Sequence, residues 1–400
     1  MPRRRLIDVL IIDDSAVVRQ VLSGLLEQED DIRVATAADP VIALNKIAKR
    51  RPDVIVLDIV MPRMDGLTFL MQLRQTERIP VVICSGHVEG DSESALRALQ
   101  LGATEIVSKP RIGVQQFLQE SRVLFVDAVR AASQIRRRRV DSADPPPLES
   151  APILRGAHFA VAPTRHEPPA LNDREGQRDR WPHAERPPAP RAAVGVHNRP
   201  VELIALGTST GGPQALEVVF RQIPVDAPGL VVVQHMPEGF TRAFAKRLDG
   251  ICRISVKEAE NGDSIVAGRA LIAPGNRHLL VHRQGNDLFV EVANGPLVAR
   301  HRPSVNVLFR SIAVAAGPRA LGVLMTGMGD DGAEGLLEMR RAGAHTIAQD
   351  QRSSAVFGMP RAAIECGAAT EVVGLDDLAT KIMERSRSRL LPHRQVWPQT

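Results

Sequence analysis

Short apolar runs alternate with longer stretches of mixed polarity in two parts of the chain, residues 6 to about 125 and 201 to about 373. In the first part, five apolar runs of strand length are separated by amphipathic stretches such as 17–26 and 40–49. In the second part, strand and helix patterns alternate again, with a strand-rich insertion at about 251–300. Repeated strand–helix units of this length favour parallel sheets covered by helices. We therefore predict two α/β domains, each built on a doubly wound parallel sheet.

The stretch between these two domains has a different composition. Residues 140–198 contain 11 Pro, many Arg and Ala, and no periodic apolar pattern, which predicts a disordered linker. Residues 127–135 are predicted to extend the last helix of the first domain. The four arginines at 136–139 resemble a nucleic-acid or membrane patch, but a solvated helix end is the preferred interpretation. The predicted boundaries are 5–125 for the first domain, 126–200 for the helix extension and linker, 201–385 for the second domain, and 386–400 for a basic tail.

Composition narrows the class of protein. The formal net charge is +5, but residues 136–200 hold 12 Arg against eight Asp or Glu, so both domains are close to neutral and nucleic-acid binding is not favoured. Every long apolar run has strand length, which argues against a membrane-spanning segment. Asp8 interrupts the first apolar run, which argues against a signal peptide. Three scattered cysteines fit a reduced, cytoplasmic protein without a disulfide framework.

Five polar side chains of the first domain follow predicted strands, at the edge where such a sheet carries its function. They are Asp13 and Asp14 after the first strand, Asp58 after the third, Ser85 after the fourth and Lys109 after the fifth. Three carboxylates at one edge need a cation, and oxygen ligands with few protein donors suit Mg²⁺. A lysine and a hydroxyl at the same edge suit phosphoryl oxygens. A solvated loop charge explains any one of these residues, but not all five.

The motifs VLIIDDS, VLDIVMPRMDG, ICSG and VSKP stand in the order of a response-regulator receiver domain, and residues 6–125 resemble that flavodoxin-like family. The resemblance implies that Asp58 accepts a phosphoryl group from a histidine kinase. It also implies an Mg²⁺ site made by the carboxylates of Asp13, Asp14 and Asp58 and the carbonyl of Val60. Ser85 and Lys109 are then the residues that bind phosphoryl oxygens. Ile106 stands where many receivers carry a mobile aromatic residue, so the resemblance does not extend to that aromatic switch.

The second domain opens with an apolar strand, a turn of small residues at 207–212, and Pro213, which suits the first turn of a helix. This arrangement lifts the hydroxyl of Ser209 to the end of a sheet, beside backbone N–H groups that suit an oxyanion. A glycine-rich turn with an ordinary serine is the alternative interpretation. A Walker A loop requires Gly-Lys-Ser/Thr and a dinucleotide site requires Gly-x-Gly-x-x-Gly, and neither pattern is present here.

A nucleophilic serine needs a base, and the base needs a carboxylate that orients it. His235 directly follows the strand LVVVQ, at the edge that we expect to carry Ser209. The segment VLMTGMGDDGAEG brings Asp330 and Asp331 to the same edge, where a helix N-cap is the alternative role for either carboxylate. Met328 and its neighbours are candidate donors for an oxyanion.

Four other histidines are weaker candidates. An α/β-hydrolase chain order requires a histidine after the carboxylate, but His345 lies in a predicted strand. His278 and His282 have the spacing of a zinc helix, but the segment lacks the glutamate and reads as a strand. His301 precedes a predicted helix, and we keep it as a substrate-site candidate.

The motifs GTSTGG, VVQHMPEGFTRAFAKRL, RHRPSVNVLFRS and LMTGMGDDGAEG resemble the catalytic domain of chemotaxis protein-glutamate methylesterases, over nearly all of 201–373. The resemblance implies a three-layer α/β/α esterase domain in which Ser209 is the nucleophile, His235 the general base and acid, and Asp331 the orienting carboxylate. The choice of Asp331 over Asp330 rests on the resemblance. The implied reaction is phosphorylation-activated hydrolysis of glutamate γ-methyl esters on chemoreceptors, with loss of methanol, and deamidation of receptor glutamines. The esterase chemistry itself is expected to need no cofactor.

The resemblance also implies the partners. A chemotaxis histidine kinase is the expected phosphodonor, and the cytoplasmic domains of methyl-accepting chemoreceptors are the expected substrate, without nucleic acid or membrane insertion. A receiver with a DNA-reading output would need two short adjacent helices with a basic face, and the sequence beyond the linker has no such pattern. The same hydrolase in a chemosensory pathway other than chemotaxis stays open as an alternative.

Overall fold

The computed structural model describes residues 6–86, 89–109, 115–141 and 201–387. Most of the predicted disordered linker and of the predicted basic tail lie outside these residues, but residues 140 and 141 belong to a helix. Among the helices that the structure describes, none combines the length and the apolar character needed to cross a bilayer.

The first domain is a five-stranded parallel sheet in the order β2-β1-β3-β4-β5. Its strands are β1 (Ile7–Ile12), β2 (Ile32–Ala37), β3 (Val54–Leu57), β4 (Val81–Ser85) and β5 (Glu105–Ser108). Its helices are α1 (Ala16–Leu26), α2 (Pro40–Lys49), α3 (Gly66–Thr76), α4 (Glu89–Gln100) and α5 (Gln115–Asp141). Residues of α1 and α5 cover one face of the sheet, and residues of α2, α3 and α4 cover the other. The predicted doubly wound sheet is confirmed.

Local sequence explains why these elements form where they do. β3 and β4 are buried along their whole length, as expected for parallel strands covered on both faces. Three helices begin at residues whose side chains accept a backbone N–H of the first turn, namely Ser15, Asp39 and Asp65. α5 continues past the predicted boundary at 125, and Phe125, Val126 and Val129 are buried against the sheet. The helix extension is therefore part of the packed first domain.

The second domain is a seven-stranded parallel sheet in the order β14-β13-β12-β6-β7-β9-β8, with a separate antiparallel pair, β10 and β11. Its strands are β6 (Leu203–Thr208), β7 (Gly229–Gln234), β8 (Ser255–Glu258), β9 (Arg269–Ile272), β10 (His278–Gln284), β11 (Asp287–Ala293), β12 (Ala320–Leu324), β13 (His345–Gln349) and β14 (Glu371–Val373). Its helices are α6 (Gly212–Phe220), α7 (Phe240–Asp249), α8 (Val305–Ala315), α9 (Ala333–Arg341), α10 (Met359–Glu365) and α11 (Leu375–Arg387).

Helices cover both faces of this second sheet. Buried residues of α6, α7 and α11 pack on one face, and those of α8, α9 and α10 pack on the other with the β10–β11 pair. The predicted three-layer α/β/α arrangement is confirmed. The segment 251–300 is rich in strands as predicted, but β8 and β9 belong to the main sheet and only the β10–β11 pair is separate from it. The edge strands β8 and β14 were not predicted, because a short strand at a sheet edge is only partly buried and carries little apolar signal.

The two domains contact each other at the carboxyl edge of the second sheet. α4 packs against α6 and α7. The Gln214 side-chain amide donates to the carbonyl oxygens of Leu99 and Ala103, at 3.3 and 3.2 Å. Buried apolar residues of both domains form one continuous cluster, which includes Ile106 and Met236. The first domain therefore lies over the edge on which Ser209 was predicted.

Candidate functional site

Ser209 lies in the turn between β6 and α6, and neighbouring strand ends fix its backbone. Its N–H donates to the carbonyl oxygen of Thr326, which follows β12, at 3.0 Å. Its carbonyl oxygen accepts from the side-chain amide of Gln234, the last residue of β7, at 3.1 Å. Gly211, which precedes α6, has a φ of 78° that only glycine adopts readily. The sheet thus holds the serine in a tight turn at its carboxyl edge, as the sequence predicts.

Gly327 lets the loop after β12 approach this serine closely. A Cβ atom at position 327 would lie 2.7 Å from the Cβ of Ser209 and 2.2 Å from the sulfur of Met359. Both distances are shorter than real van der Waals contacts. A glycine is therefore required for this loop to border the nucleophile.

His235 directly follows β7 and faces the carboxylate of Asp331. Its Nε2 lies 2.8 Å from Asp331 Oδ2. Because a carboxylate only accepts, Nε2 carries the proton and Nδ1 is the basic nitrogen. His235 Nδ1 is buried and has no hydrogen-bond partner among the described residues. His235 and Ser209 line the same cavity, so the unpaired nitrogen belongs to the site that holds the serine.

The Asp331 carboxylate is held by the first turn of α8. Oδ1 accepts from the Ser304 hydroxyl at 2.7 Å and from the Asn306 N–H at 3.0 Å, and Oδ2 also accepts from the Val305 N–H at 2.7 Å. Burial raises the pKa of Asp331, but the hydrogen bond and positive charge of His235, with the Ser304 hydroxyl, outweigh it and hold the pKa below its ordinary value. The positive end of the α8 dipole favours the same ionised form.

Asp330, the other candidate carboxylate, is exposed to solvent. Its backbone carbonyl accepts from the N–H of Ala333 at the start of α9. Asp331 instead has only 1 % of its surface exposed and contacts His235. Of these two neighbouring carboxylates, only Asp331 contacts the histidine, whereas the sequence offered only a resemblance as grounds for choosing it.

His301 packs directly on His235. The ring centroids are 3.8 Å apart and the planes differ by 7°. Its Nδ1 lies 2.7 Å from the carbonyl oxygen of Ala299. Burial lowers the pKa of His301 to about 3, with a further contribution from His235, so its ring is neutral near pH 7. The sequence predicts only that His301 borders the cleft, and the contact with the base comes from the fold.

Ligand atoms of His235, His301 and Asp331 lie within 4.8 Å of one another, a spacing seen in metal sites. Two stacked rings, however, keep their in-plane lone pairs in two nearly parallel planes, 3.8 Å apart between ring centroids. These lone pairs do not converge on one ion, and the tetrahedral geometry of zinc is not available to them. The cluster is better suited to proton transfer than to metal binding.

The structure also places the other three histidines that the sequence analysis considered. His278 borders the site, because its Nδ1 accepts at 3.3 Å from the N–H of Ser304, the residue whose hydroxyl donates to Asp331. His278 and His282 lie on β10, so their spacing is not that of a helix. His278 Nε2 lies 2.8 Å from the carbonyl oxygen of Pro296, and His282 Nε2 lies 2.6 Å from Glu291 Oε2. His345 begins β13, at the opposite edge of the sheet from Ser209.

The predicted phosphorylation-site residues of the first domain also come together. Carboxylate oxygens of Asp13, Asp14 and Asp58 lie within 4.8 Å of one another. Lys109 Nζ lies 2.8 Å from Asp58 Oδ2 and 2.9 Å from Asp13 Oδ2. Three carboxylates and one ammonium leave two negative charges, so this donor set fits a divalent cation with oxygen ligands. Burial raises the pKa of Asp58, more than Lys109 lowers it.

The other two predicted residues of this site lie beside it. Ser85 is buried at the end of β4, and its carbonyl oxygen accepts the N–H of Lys109 at 2.9 Å. Val60 lies two residues after Asp58 and is 62 % exposed. The strand ends thus bring Asp13, Asp14, Asp58, Ser85 and Lys109 to one edge of the sheet, whereas Val60 was expected only from the resemblance to receiver domains.

A cavity of about 310 Å³ lies between the two domains and contains the candidate nucleophile. Ser209, His235 and Met328 line it from the second domain, and Glu105 and Ile106 line it from the first. Ile106 is buried, at the position where the receiver family often carries an aromatic side chain. Four further residues line the cavity that the sequence analysis did not predict, because no local sequence pattern distinguishes them. They are Glu105, Asp127, Thr210 and Arg300.

Comparison with known proteins matches both domains. The CheB methylesterase family matches residues 204–382, and the response regulator receiver domain family matches residues 9–121. A protein-glutamate methylesterase/protein-glutamine glutaminase of Geobacter metallireducens is 50% identical over 378 residues, which cover 94% of this chain and 98% of the relative. A protein of the same name from Anaeromyxobacter dehalogenans is 50% identical over 380 residues, 95% of this chain and 99% of that relative. The solved Thermotoga maritima CheB methylesterase catalytic domain is 35% identical, with a TM-score of 0.45, and the match covers 46% of this chain and 98% of that one.

Proposed function

Because this chain belongs to the CheB methylesterase family, we propose that it is a phosphorylation-activated serine hydrolase that removes methyl groups from glutamate side chains of chemoreceptors. The observation that best supports this proposal is the His235–Asp331 contact of 2.8 Å, together with a cavity that Ser209 and His235 both line where β6 and β7 end. The cytoplasmic domains of methyl-accepting chemoreceptors are the proposed substrate, and the reaction is placed in the cytoplasm.

In the first half of the reaction, the Ser209 hydroxyl attacks the γ-carbonyl carbon of the methyl ester. His235 Nδ1 takes the hydroxyl proton, and Asp331 stabilises the imidazolium that forms. The tetrahedral intermediate then breaks its bond to the methoxy group. His235 returns the proton to this group, so methanol leaves and a glutamyl ester of Ser209 remains.

In the second half, water attacks the glutamyl ester and His235 takes a proton from it. The bond to Ser209 breaks, the serine regains its proton, and the receptor glutamate leaves as a free carboxylate. Backbone N–H groups of the turn after Ser209 and of the loop at Met328 are the proposed donors to the oxyanion. A receptor glutamine passes through the same acyl enzyme, with ammonia leaving in place of methanol.

The position of the first domain supports its proposed control of the active site. In this structure it covers the cavity that contains Ser209 and His235. Asp58 is the proposed acceptor of a phosphoryl group from a chemotaxis histidine kinase, and Ser85 and Lys109 are the residues proposed to bind its oxygens. Asp13, Asp14 and Asp58, with the Val60 carbonyl, are the proposed Mg²⁺ ligands. When bound, the cation offsets the negative charge of the phosphoryl group. Phosphorylation would then weaken the contact between the domains and open the cavity.

The proposal is tested by measuring methanol release from methylated receptor membranes. Wild type is expected to release methanol, and Ser209→Ala is expected to release none above background. An unchanged rate in Ser209→Ala would refute the assignment of the nucleophile. The same assay with receptors of another chemosensory pathway decides between the two pathways, because the faster methanol release identifies the substrate.

A further inference from the structure

A glutamate of the receiver domain lies against the turn that carries the nucleophile. The Thr210 hydroxyl, one residue after Ser209, donates to Glu105 Oε2 at 2.7 Å. Glu105 belongs to β5 of the receiver and lines the same cavity as Ser209 and His235. A glutamate side chain is also the product of the proposed reaction. The receiver thus places a copy of the product's functional group next to the catalytic serine.

Thr210 is buried, and its backbone is fixed by hydrogen bonds. Thr210 has 2 % of its surface exposed, and its carbonyl oxygen accepts from the Thr326 hydroxyl at 2.9 Å. The Thr326 N–H in turn donates to the side chain of Gln349 at 2.8 Å. A donor fixed in this way costs little entropy when it binds a ligand. When the receiver moves away, the hydroxyl loses Glu105 and needs another acceptor.

The receiver presents a second carboxylate to the same cavity. Asp127 of α5 lies 3.2 Å from Arg300 Nη1, and the Arg300 side chain remains 54 % exposed. Ala299 and Arg300 both have left-handed φ values, 48° and 67°. Such strain in residues other than glycine is unusual and concentrates at binding and catalytic sites. Arg300 is thus held towards the cavity at a conformational cost.

We propose that the receiver covers the site as a mimic of the demethylated product, with Glu105 at Thr210 and Asp127 at Arg300. Thr210 and Arg300 are then substrate-binding residues. Thr210 binds the glutamyl group next to the nucleophile, and Arg300 binds a second carboxylate of an acidic receptor segment. This inference rests on the proposed function, because it takes the product to be a glutamate carboxylate.

The energetics of the two carboxylates agree with a cover that is easily displaced. Burial raises the pKa of Glu105 to about 7, against a smaller opposing effect of the Thr210 hydroxyl. Burial also raises the pKa of Asp127, although Arg300 lowers it. Each carboxylate therefore loses solvation in the closed form. The contacts with Thr210 and Arg300 offset only part of this lost solvation. A substrate that forms the same contacts can therefore displace the receiver.

The first test uses the full chain saturated with a small-molecule phosphodonor. Thr210→Val is expected to raise the KM for methylated receptor membranes about tenfold, the scale of one lost hydrogen bond. It is also expected to weaken inhibition by demethylated membranes by the same factor. Thr210→Ser, which keeps the hydroxyl, should retain both constants within about twofold. Arg300→Gln should raise KM, whereas Arg310→Gln should not, since Arg310 forms ion pairs with Glu334 and Glu338 outside the cavity.

The second test uses the chain without phosphodonor. Glu105→Leu removes the acceptor and is expected to raise the methanol rate by about three- to tenfold. The same variant, once activated, should keep the wild-type KM, because Glu105 is not part of the open site. Labelling of Ser209 by a fluorophosphonate should accelerate by a similar factor, and demethylated membranes should slow it. This labelling needs no turnover of receptor.

The result that overturns the inference is an activated Thr210→Val enzyme with the wild-type KM and wild-type inhibition by demethylated membranes. Thr210 would then be only a contact between domains. The inference would also be overturned if demethylated membranes failed to protect Ser209 from the fluorophosphonate. Failure of the proposed function looks different, because wild type itself would then release no more methanol than Ser209→Ala.

Discussion

At the scale of single residues, the site depends on a buried charge placed beside an imidazole. Asp331 is ionised although buried, because His235, Ser304 and the first N–H groups of α8 all donate to it. A carboxylate held in this way fixes the tautomer and the orientation of the histidine. Nδ1, the ring nitrogen of His235 that does not contact Asp331, is then available as a base.

Asp331→Asn is expected to lower kcat by about 10³- to 10⁴-fold, the scale seen when an orienting carboxylate of a serine hydrolase is neutralised. Methanol release measures this effect, and the melting temperature shows whether the variant is folded. Asp330→Asn is the matched control, since Asp330 is exposed and adjacent. Equal losses in the two variants would contradict the assignment of Asp331.

His301 is expected to act as a positioning residue for the His235 ring. His301→Ala removes the stacked ring and should lower kcat about tenfold, because a misplaced base transfers its proton less efficiently. His301→Phe keeps a flat ring at the same place and should recover most of the lost rate. If the Phe and Ala variants are equally impaired, stacking is not the contribution of His301.

The sequence predicts much of the site at this scale, but not all of it. Ser209 and His235 follow apolar strands, and the rule for parallel sheets brings them to one edge. Asp330 and Asp331 have the same chemistry at neighbouring positions, so their pattern does not say which one turns inward. The inward turn depends on Gly332, with a φ of 93°, and on the packing of α8.

At the scale of elements, the site is a meeting of strand ends that requires close approach between loops. The turn after β6 and the loop after β12 share hydrogen bonds through Thr326, and Gly327 leaves no room for a side chain. Strand and helix positions follow from the hydrophobic pattern, because the buried parallel strands are continuously apolar. The loops that connect them are irregular, and only the glycines indicate where they approach each other.

Gly327→Ala is expected to lower both activity and stability. The added methyl group would meet Ser209 and Met359 at distances that force a shift of the nucleophile, and a small shift costs about 10²-fold in rate. Gly24→Ala in α1 is the control, because no atom lies within 4 Å of the added Cβ. It should instead stabilise the chain by about 0.5–1 kcal/mol, measured by denaturant unfolding. A fully active Gly327→Ala enzyme would contradict the described packing.

At the scale of the whole molecule, the proposed control of the site depends on contacts between residues that lie far apart in the chain. Glu105 and Thr210 are separated by 105 positions, and Asp127 and Arg300 by still more. Sequence patterns are local, so they predict each domain and its strand-end residues but not the surfaces that meet. The wall formed by Glu105 and Ile106 is visible only in the assembled structure.

The closed form should weaken as the pH rises. The pKa of Glu105 is about 7 in the closed form and takes its ordinary, lower value when the cover opens. The closed form therefore binds the proton more tightly, and its advantage is lost as the pH rises through about 7. The Thr210 hydroxyl and the Asp127 carboxyl, whose own pKa is raised, both act on Glu105. The other ionisable groups that line the cavity include those of His235, His301 and Arg300. The pKa of His301, about 3, keeps that ring neutral throughout this range.

The measurement is the ratio of phosphodonor-activated to unactivated methanol rates between pH 5.5 and 8.5, a window of about 1.5 units on each side of the pKa of Glu105. Taking the ratio removes titrations that affect both forms equally. The ratio is expected to fall as the pH rises in wild type and to be smaller and flatter in Glu105→Leu. A ratio that rises with pH would show that Glu105 does not set this dependence.

The central claim is that Ser209 hydrolyses receptor methyl esters under the control of Asp58, and one comparison tests it most directly. Methanol release from methylated receptor membranes is measured for wild type and Asp58→Asn, with and without a small-molecule phosphodonor, and with Ser209→Ala as the blank. We expect the phosphodonor to accelerate wild type, and Asp58→Asn to keep the unactivated rate without acceleration. An equal rate with and without phosphodonor in wild type, or loss of the unactivated rate in Asp58→Asn, would contradict this account.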